Sequence, residues 1–422
     1  MRILKQEEEW EDLPDDKILS WFSYTATETN QRHMEIITRA YAQAPYPKSK
    51  FPVVIYAPSY QASSVENFTL CEYLASQGYV VISSPSQGTQ NRFLEGATTR
   101  DIETQAKDIA FLLGHLYTLS FVDTDRIAVG GFSFGGISNV LAHIQDPRIK
   151  AIVCLDGSIR YQFGKLPPYA YAEIPKISVP FLFMAQKDIP LAVMQEDGID
   201  TTLNTQFAFW DSLHYSQAYF LKFHDLTHAY FSSMGILFQE RDSRQDKSDQ
   251  AIVASYRWVN EYTLHFLNAF LKEDTFSRQF LSNGPVTNQI PSPLISIRRK
   301  EPLKRDFSFE QFHTMAKKQG YHNLEELFHE LKRQHPKLVL HEWKLNNLGL
   351  QLLFKGKKLE GIQVLSLATL LYPQSSNAFD SLAEGYLLEG NKELAISNFK
   401  LSLNLNPQNQ NALDQLTRLQ KN

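Results

Sequence analysis

The sequence predicts two architectures in one chain. The first is an α/β domain built on a mostly parallel sheet covered by helices on both faces. The second is a C-terminal all-α helical-repeat module. Three observations carry this. From about residue 51 to 271, short and nearly continuous apolar runs alternate with helical patterns, as strands buried on both faces do. Beyond about residue 307 only helical patterns remain. In that last part Gly356 and Gly390 lie 34 residues apart, as do Pro373 and Pro407, a period typical of repeat architectures.

The elements follow in order. Pro52-Val53-Val54-Ile55-Tyr56 reads as a buried strand. Helical spacing from Glu66 to Gln77 stops at Gly78, a residue suited to the left-handed position past a helix end. Tyr79-Val80-Val81-Ile82 is the next strand. A helix over Ile102 to Leu119 carries Ile102, Ala106, Ile109, Leu112, Leu113 and Leu116 on one side. Strands are expected at Arg126–Gly130, Ala151–Leu155, Pro180–Met184 and Tyr219–Phe223, with a helix at Phe134 to Gln145. A helix from Ala251 to Leu271 closes the domain. The polar stretch Arg241 to Asp249 reads as a mobile surface loop. Ser282 to Pro302 holds four prolines and reads as a boundary. The expected division is therefore a domain at 1–285, a linker at 286–306 and a helical domain at 307–422.

Composition excludes some classes. With 422 residues and 43% apolar content, the chain can bury a large core. A formal charge of −4 argues against nucleic-acid binding, which needs a basic face. The cluster Arg298, Arg299, Lys300, Lys304 and Arg305 reads as a solvated linker. Two cysteines, Cys71 in a helix and Cys154 in a strand, form no disulfide or metal pattern, and no cofactor is expected. No apolar run is long enough to span a membrane. Residues Met1 to Lys5, followed by Glu7, Glu8 and Glu9, lack the core of a signal peptide. A complete chain would thus be cytoplasmic, and a trimmed one exported or periplasmic.

Aligning the repeats at their period matches Leu345, Leu348, Gly349, Leu352, Gly361, Leu365, Ala368 and Pro373 with Phe379, Leu382, Ala383, Tyr386, Ala395, Phe399, Ser402 and Pro407. Small residues at 349/383 and 361/395 let two helices approach closely. The pattern resembles two tetratricopeptide repeats, at 342–375 and 376–409, with a capping helix to Asn422 and a degenerate helical pair at 307–340. Two repeats leave apolar faces uncovered. The expectation is docking against the first domain, self-association with a second subunit, or a protein partner.

The chemistry centres on Gly131-Phe132-Ser133-Phe134-Gly135-Gly136, between an expected strand and an expected helix. This resembles the G-x-S-x-G nucleophile elbow of α/β-hydrolases. Glycines leave room for close strand–helix packing, and the serine hydroxyl projects above the sheet edge. The Phe134 amide can then donate to an oxyanion. In that fold the acid and then the histidine follow the serine. His214, His224, His228 and His265 are candidates. His265 is mid-helix and His214 precedes the last strand. His224 sits at a strand end, and His228 lies where the loop turns into a helix, so His228 is preferred as general base. Asp156 and Asp188 both follow strands at the same edge, and the residues alone leave the choice between them open. The second oxyanion donor belongs to the loop after Tyr56, where the Tyr60 amide of Pro58-Ser59-Tyr60-Gln61 is best placed.

Residues 50–275 also resemble the dienelactone hydrolase and platelet-activating-factor acetylhydrolase branch, through Ser133-Phe134-Gly135-Gly136, Leu155-Asp156-Gly157 and Thr227-His228-Ala229-Tyr230-Phe231. Glu72-Tyr73-Leu74-Ala75-Ser76-Gln77-Gly78-Tyr79-Val80-Val81 is similar to bacterial hydrolases of this type, some with helical repeats appended. The resemblance implies Asp156 as the acid, 23 residues after Ser133, with Asp188 the alternative. Relatives often carry His-Gly in the oxyanion loop, which this chain lacks. The implied function is cleavage of a small-molecule carboxylic ester through an acyl-serine. Thioesterase, acyltransferase or peptidase chemistry on the same residues is the alternative. A reading of another class is a repeat-based partner-binding protein with a vestigial hydrolase.

Overall fold

The computed structural model describes residues 14, 17, 19 and 24–421, except 42–43, 46–47, 90–92, 197, 239–240 and 304–306. The chain divides into two compact units, residues 1–303 and 304–422. The first unit is organised by a seven-stranded sheet. Its strands are β1 (Phe51–Ala57), β2 (Val80–Ser83), β3 (Val122–Phe132), β4 (Ile149–Leu155), β5 (Phe181–Ala185), β6 (Ala218–Phe223) and β7 (Ile295–Lys300), in spatial order β2-β1-β3-β4-β5-β6-β7. The first six run parallel and β7 is antiparallel to β6.

Side chains alternate across a strand, so each strand feeds two cores. On one face Val53, Ile55, Val129 and Ile152 pack with Ile102, Ile109 and Leu113 of helix Thr99–His115 and with Ile137, Val140 and Leu141 of helix Phe134–Gln145. On the other, Val54, Tyr56, Ala128 and Val153 pack with Leu70 and Leu74 of helix Phe68–Ser76 and with Val259, Phe266 and Leu267 of helix Asp249–Leu271. Strands buried on both sides are why the apolar runs in the sequence are unbroken. This is the expected mostly parallel sheet covered by helices on both faces, followed by a helical region.

The expected linker at 286–306 is corrected by β7, which lies within it. Pro285, Pro291, Pro293 and Pro302 flank that strand and do not interrupt it. An antiparallel edge strand faces less apolar surface, so its basic residues hide the strand pattern. Arg298 and its neighbours are not a solvated linker: the Arg298 guanidinium lies 4.4 Å from the Phe220 ring centre, and Lys300 Nζ donates to the Trp210 carbonyl at 2.8 Å. Lys304 and Arg305 lie outside the described residues, as do residues 1–5 and 7–9. The stretch 241–249 is tied down by a 2.7 Å Lys187–Asp246 ion pair and by Gln245 Nε2 donating to the Asp225 carbonyl at 2.9 Å.

The second unit contains helices Phe309–Lys318, Leu324–Gln334, Glu342–Phe354, Lys358–Leu371, Ser376–Glu389, Lys392–Leu405 and Gln410–Lys421. The starts of the third and fifth helices are 34 residues apart, as are those of the fourth and sixth. Gly349 and Gly361 meet inside the first of these pairs. A Cβ at Gly349 would fall 2.5 Å from Leu365 Cγ, and one at Gly361 would fall 2.8 Å from the Gly349 carbonyl oxygen.

Among the described residues no helix is long and apolar enough to cross a membrane.

Candidate active site

The chain leaves β1 for β2 on one side and returns to β3 on the other. At such a switch point the loops beyond the strand ends diverge and leave a crevice. The loop Pro58–Gln61 departs from β1 there, and Ser133 follows the last residue of β3.

Ser133 has φ 51° and ψ −116°, a region that costs a non-glycine residue on the order of 1–3 kcal/mol. Its surroundings hold it there. The Ser133 N–H donates to the Leu155 carbonyl at 3.1 Å, and the Ser133 carbonyl accepts from Ser158 at 2.7 Å and Gly136 at 3.0 Å. The flanking glycines are required by contact with β1. A Cβ at Gly135 would lie 2.0 Å from the Ala57 carbonyl oxygen, and one at Gly131 would lie 2.7 Å from it.

Three sequence-distant side chains converge on this turn. His228 Nε2 lies 2.9 Å from Ser133 Oγ, and His228 Nδ1 lies 2.6 Å from Asp156 Oδ2. His228 opens the 3-10 turn His228–Phe231 after β6. Its side chain is 35% exposed, whereas the Asp156 side chain is fully buried. The Phe132 ring packs on the imidazole at 4.8 Å between centres.

The Asp156 carboxylate is held on its other oxygen. Oδ1 accepts from Tyr161 Oη at 3.0 Å and from the Gln186 N–H at 3.2 Å. Gln186 Nε2 donates to Tyr161 Oη at 3.3 Å, and Gln186 Oε1 accepts from the His228 N–H at 3.1 Å. Burial, reinforced by Asp156, pushes the Tyr161 phenol far above its ordinary range, so it stays a donor. Gln186 thus touches the backbone of His228 and the carboxylate its ring faces. Sequence reasoning passed over both residues. Tyr161 stands five positions after Asp156 and Gln186 two positions before the rival Asp188, and neither carries a local signal.

The other candidates lie elsewhere. Asp188 pairs with Lys222 at 2.6 Å and its side chain is 57% exposed. His224 Nε2 contacts Ser296 Oγ of β7 at 2.7 Å. His265 contacts Ser277 Oγ at 2.9 Å and stacks on Phe280. The His214 carbonyl accepts from the Leu303 N–H at 2.8 Å.

Phe134 opens helix Phe134–Gln145, so its N–H has no partner within the helix. The loop carrying Tyr60 is fixed from several sides. Gln105 Nε2 donates to the Pro58 carbonyl at 2.8 Å, Tyr60 Oη accepts from the Gly96 N–H at 2.8 Å, and Gln61 Oε1 accepts from the Leu94 N–H at 3.0 Å. The Tyr60 ring meets that of Phe134 edge-on, with centres 5.6 Å apart. Ser59 donates its N–H to Glu66 Oε2 at 2.8 Å, and its hydroxyl to Glu66 Oε1. Burial is the main cause that raises the Glu66 carboxyl to about 7, with the Ser59 bonds and His228 acting against it. Among the described residues no group of three or more His, Cys, Asp or Glu is arranged to hold a metal ion.

A hydrolase, LUC6, from Fusarium is 33% identical over 130 residues, which cover 29% of this chain and 30% of that protein. Esterase FrsA from Salmonella typhi is 29% identical over 120 residues, 28% of each chain. The matches therefore span under a third of either relative's length. A ferulic acid esterase structure from Streptomyces cinnamoneus is 21% identical, with a TM-score of 0.46, covering 63% of this chain and 79% of that one. Residues 28–214 match the family model described as esterase FrsA-like, a segment that begins ahead of β1 and holds the elbow and Asp156.

Proposed function

We propose that this chain is a serine hydrolase that cleaves carboxylic esters through an acyl-serine intermediate. The observation that carries the reading is the continuous contact from Ser133 Oγ to His228 Nε2 at 2.9 Å and from His228 Nδ1 to Asp156 Oδ2 at 2.6 Å. In this reading His228 takes the Ser133 proton as Oγ attacks the ester carbonyl. Asp156 holds the ring with Nδ1 protonated and stabilises the imidazolium that forms. The Phe134 and Tyr60 N–H groups receive the oxyanion. Collapse expels the alcohol, which takes its proton from His228. Water then attacks the acyl-serine with His228 again as base, and the acid leaves. The match of residues 28–214 to an esterase family model supports the same chemistry.

Asp156 over Asp188 is the acid in this reading, the position that the resemblance to the acetylhydrolase-like members implies. The helical unit is read as two tetratricopeptide repeats, 342–375 and 376–409, which present a surface to a protein partner or a second copy. Recurrence of helix starts at a 34-residue period supports this.

Ser133→Ala is the deciding variant. Turnover of a short p-nitrophenyl ester should fall by at least ~10³-fold, and retained turnover overturns the assignment. A panel of oxyester, thioester and amide substrates places the preferred bond.

A further inference from the structure

The dipeptide Glu66-Asn67 ties the loop before Tyr60 to the turn that carries His228. The Glu66 carboxylate grips Ser59 through both its N–H and its hydroxyl. The Glu66 carbonyl accepts from the Met234 N–H at 3.0 Å. Asn67 Nδ2 donates to the Phe231 carbonyl at 3.1 Å, and Asn67 Oδ1 accepts from the Ser233 N–H and hydroxyl, both at 3.0 Å, and from Tyr256 Oη. One short strut therefore sets the distance between the oxyanion loop and the residues that follow the base.

Glu66 is only 7% exposed, and a carboxyl taken out of water is costly unless its bonds compensate. The titratable groups facing it are Tyr24, Tyr56 of β1, Cys71 of helix Phe68–Ser76, Tyr256 of helix Asp249–Leu271, and His228. Of these, His228 is the one that gains positive charge during the reaction proposed above.

We propose that Glu66 is a positioning residue for ester hydrolysis: as a carboxylate it fixes Ser59, and through it the Tyr60 N–H. This rests on the esterase reading. Burial pushes its carboxyl up to about 7, so the charge changes within the neutral range. Above that pH the carboxylate accepts both Ser59 bonds. Below it one oxygen carries a proton, one Ser59 bond must reverse or break, and the negative charge facing His228 is lost. Activity should therefore fall on the acid side with protonation of Glu66, on top of the loss expected of any histidine general base.

The test uses the full chain with a p-nitrophenyl ester and, alongside, fluorophosphonate labelling of Ser133. In the wild type the acid limb of log kcat against pH should steepen to a slope near two. Glu66→Ala should lower kcat by ~10–100-fold with KM within about threefold, because an oxyanion donor acts in the transition state and not on bound substrate. Glu66→Gln, which like the protonated acid offers Ser59 a single acceptor and carries no charge, should stay below the wild-type kcat at pH 8.5, retain more of it than Glu66→Ala, and reduce the acid limb to a slope of one. A Glu66→Gln limb as steep as the wild type's overturns the inference, and so does unchanged kcat in Glu66→Ala. If the wild type neither labels nor turns over ester, the esterase reading fails and the inference falls with it. Normal labelling and turnover with a wild-type slope of one overturns the inference alone.

Discussion

The ends of β4 and β5 lie side by side at the same edge of the sheet, and each is followed by an aspartate in a similar sequence setting. Their surroundings differ completely. Asp156 is buried and surrounded by donors: Tyr161 Oη, the Gln186 N–H and His228 Nδ1. Asp188 reaches solvent and pairs with Lys222. A carboxylate can be kept charged away from water only where its lone pairs are met. The first aspartate has a fixed geometry that can orient an imidazole. The second has an exposed ion pair of the kind worth ~0–1 kcal/mol.

The sharpest way to break this comparison is Asp156→Asn, which should reduce kcat/KM for a p-nitrophenyl ester by ~10³-fold or more, as loss of the orienting carboxylate releases the wrong tautomer. Activity near wild type would return the acid role to another residue. A smaller effect is expected at Gln186, which touches Asp156 through its backbone and His228 through its side chain. Gln186→Leu keeps the first bond and loses the second, so kcat should fall by about tenfold with KM little changed. A change confined to KM would place Gln186 in substrate binding instead. The smallest effect belongs to Asp188→Asn. Its kcat/KM should stay within about threefold, and chemical denaturation should register a stability change of at most ~1 kcal/mol. Should Asp188→Asn be the damaging substitution, the contrast between the two strand ends is wrong.

Much of the fold was legible because its signals are local. Unbroken apolar runs such as Val53-Val54-Ile55 report burial on both faces, and the Ser133 elbow reports a strand-to-helix turn with glycines that β1 demands. His228 could be preferred over His224 because it stands a few residues farther past the strand end. β7 was missed because its exposed basic residues give no apolar run, and its partner β6 is distant in sequence. Glu66 was missed for a related reason. Within its own helical pattern it is an ordinary first-turn acid, and nothing local shows that Ser59 and residues 231–234 close over it.

By itself the sequence determined the order of strands from β1 to β6 and the helices between them, a glycine-flanked serine turn from strand to helix, a histidine in the loop after β6 and the helical period of the last hundred residues. Each is written in spacing along the chain. Only the tertiary structure decided which aspartate meets His228, that Gln186 and Tyr161 hold that aspartate, and that Glu66 is buried between Ser59 and residues 231–234. Those relations join residues that become neighbours only when parallel strands are laid side by side. A carboxylate's charge, exposure and partners are properties of that neighbourhood, not of the residues before and after it.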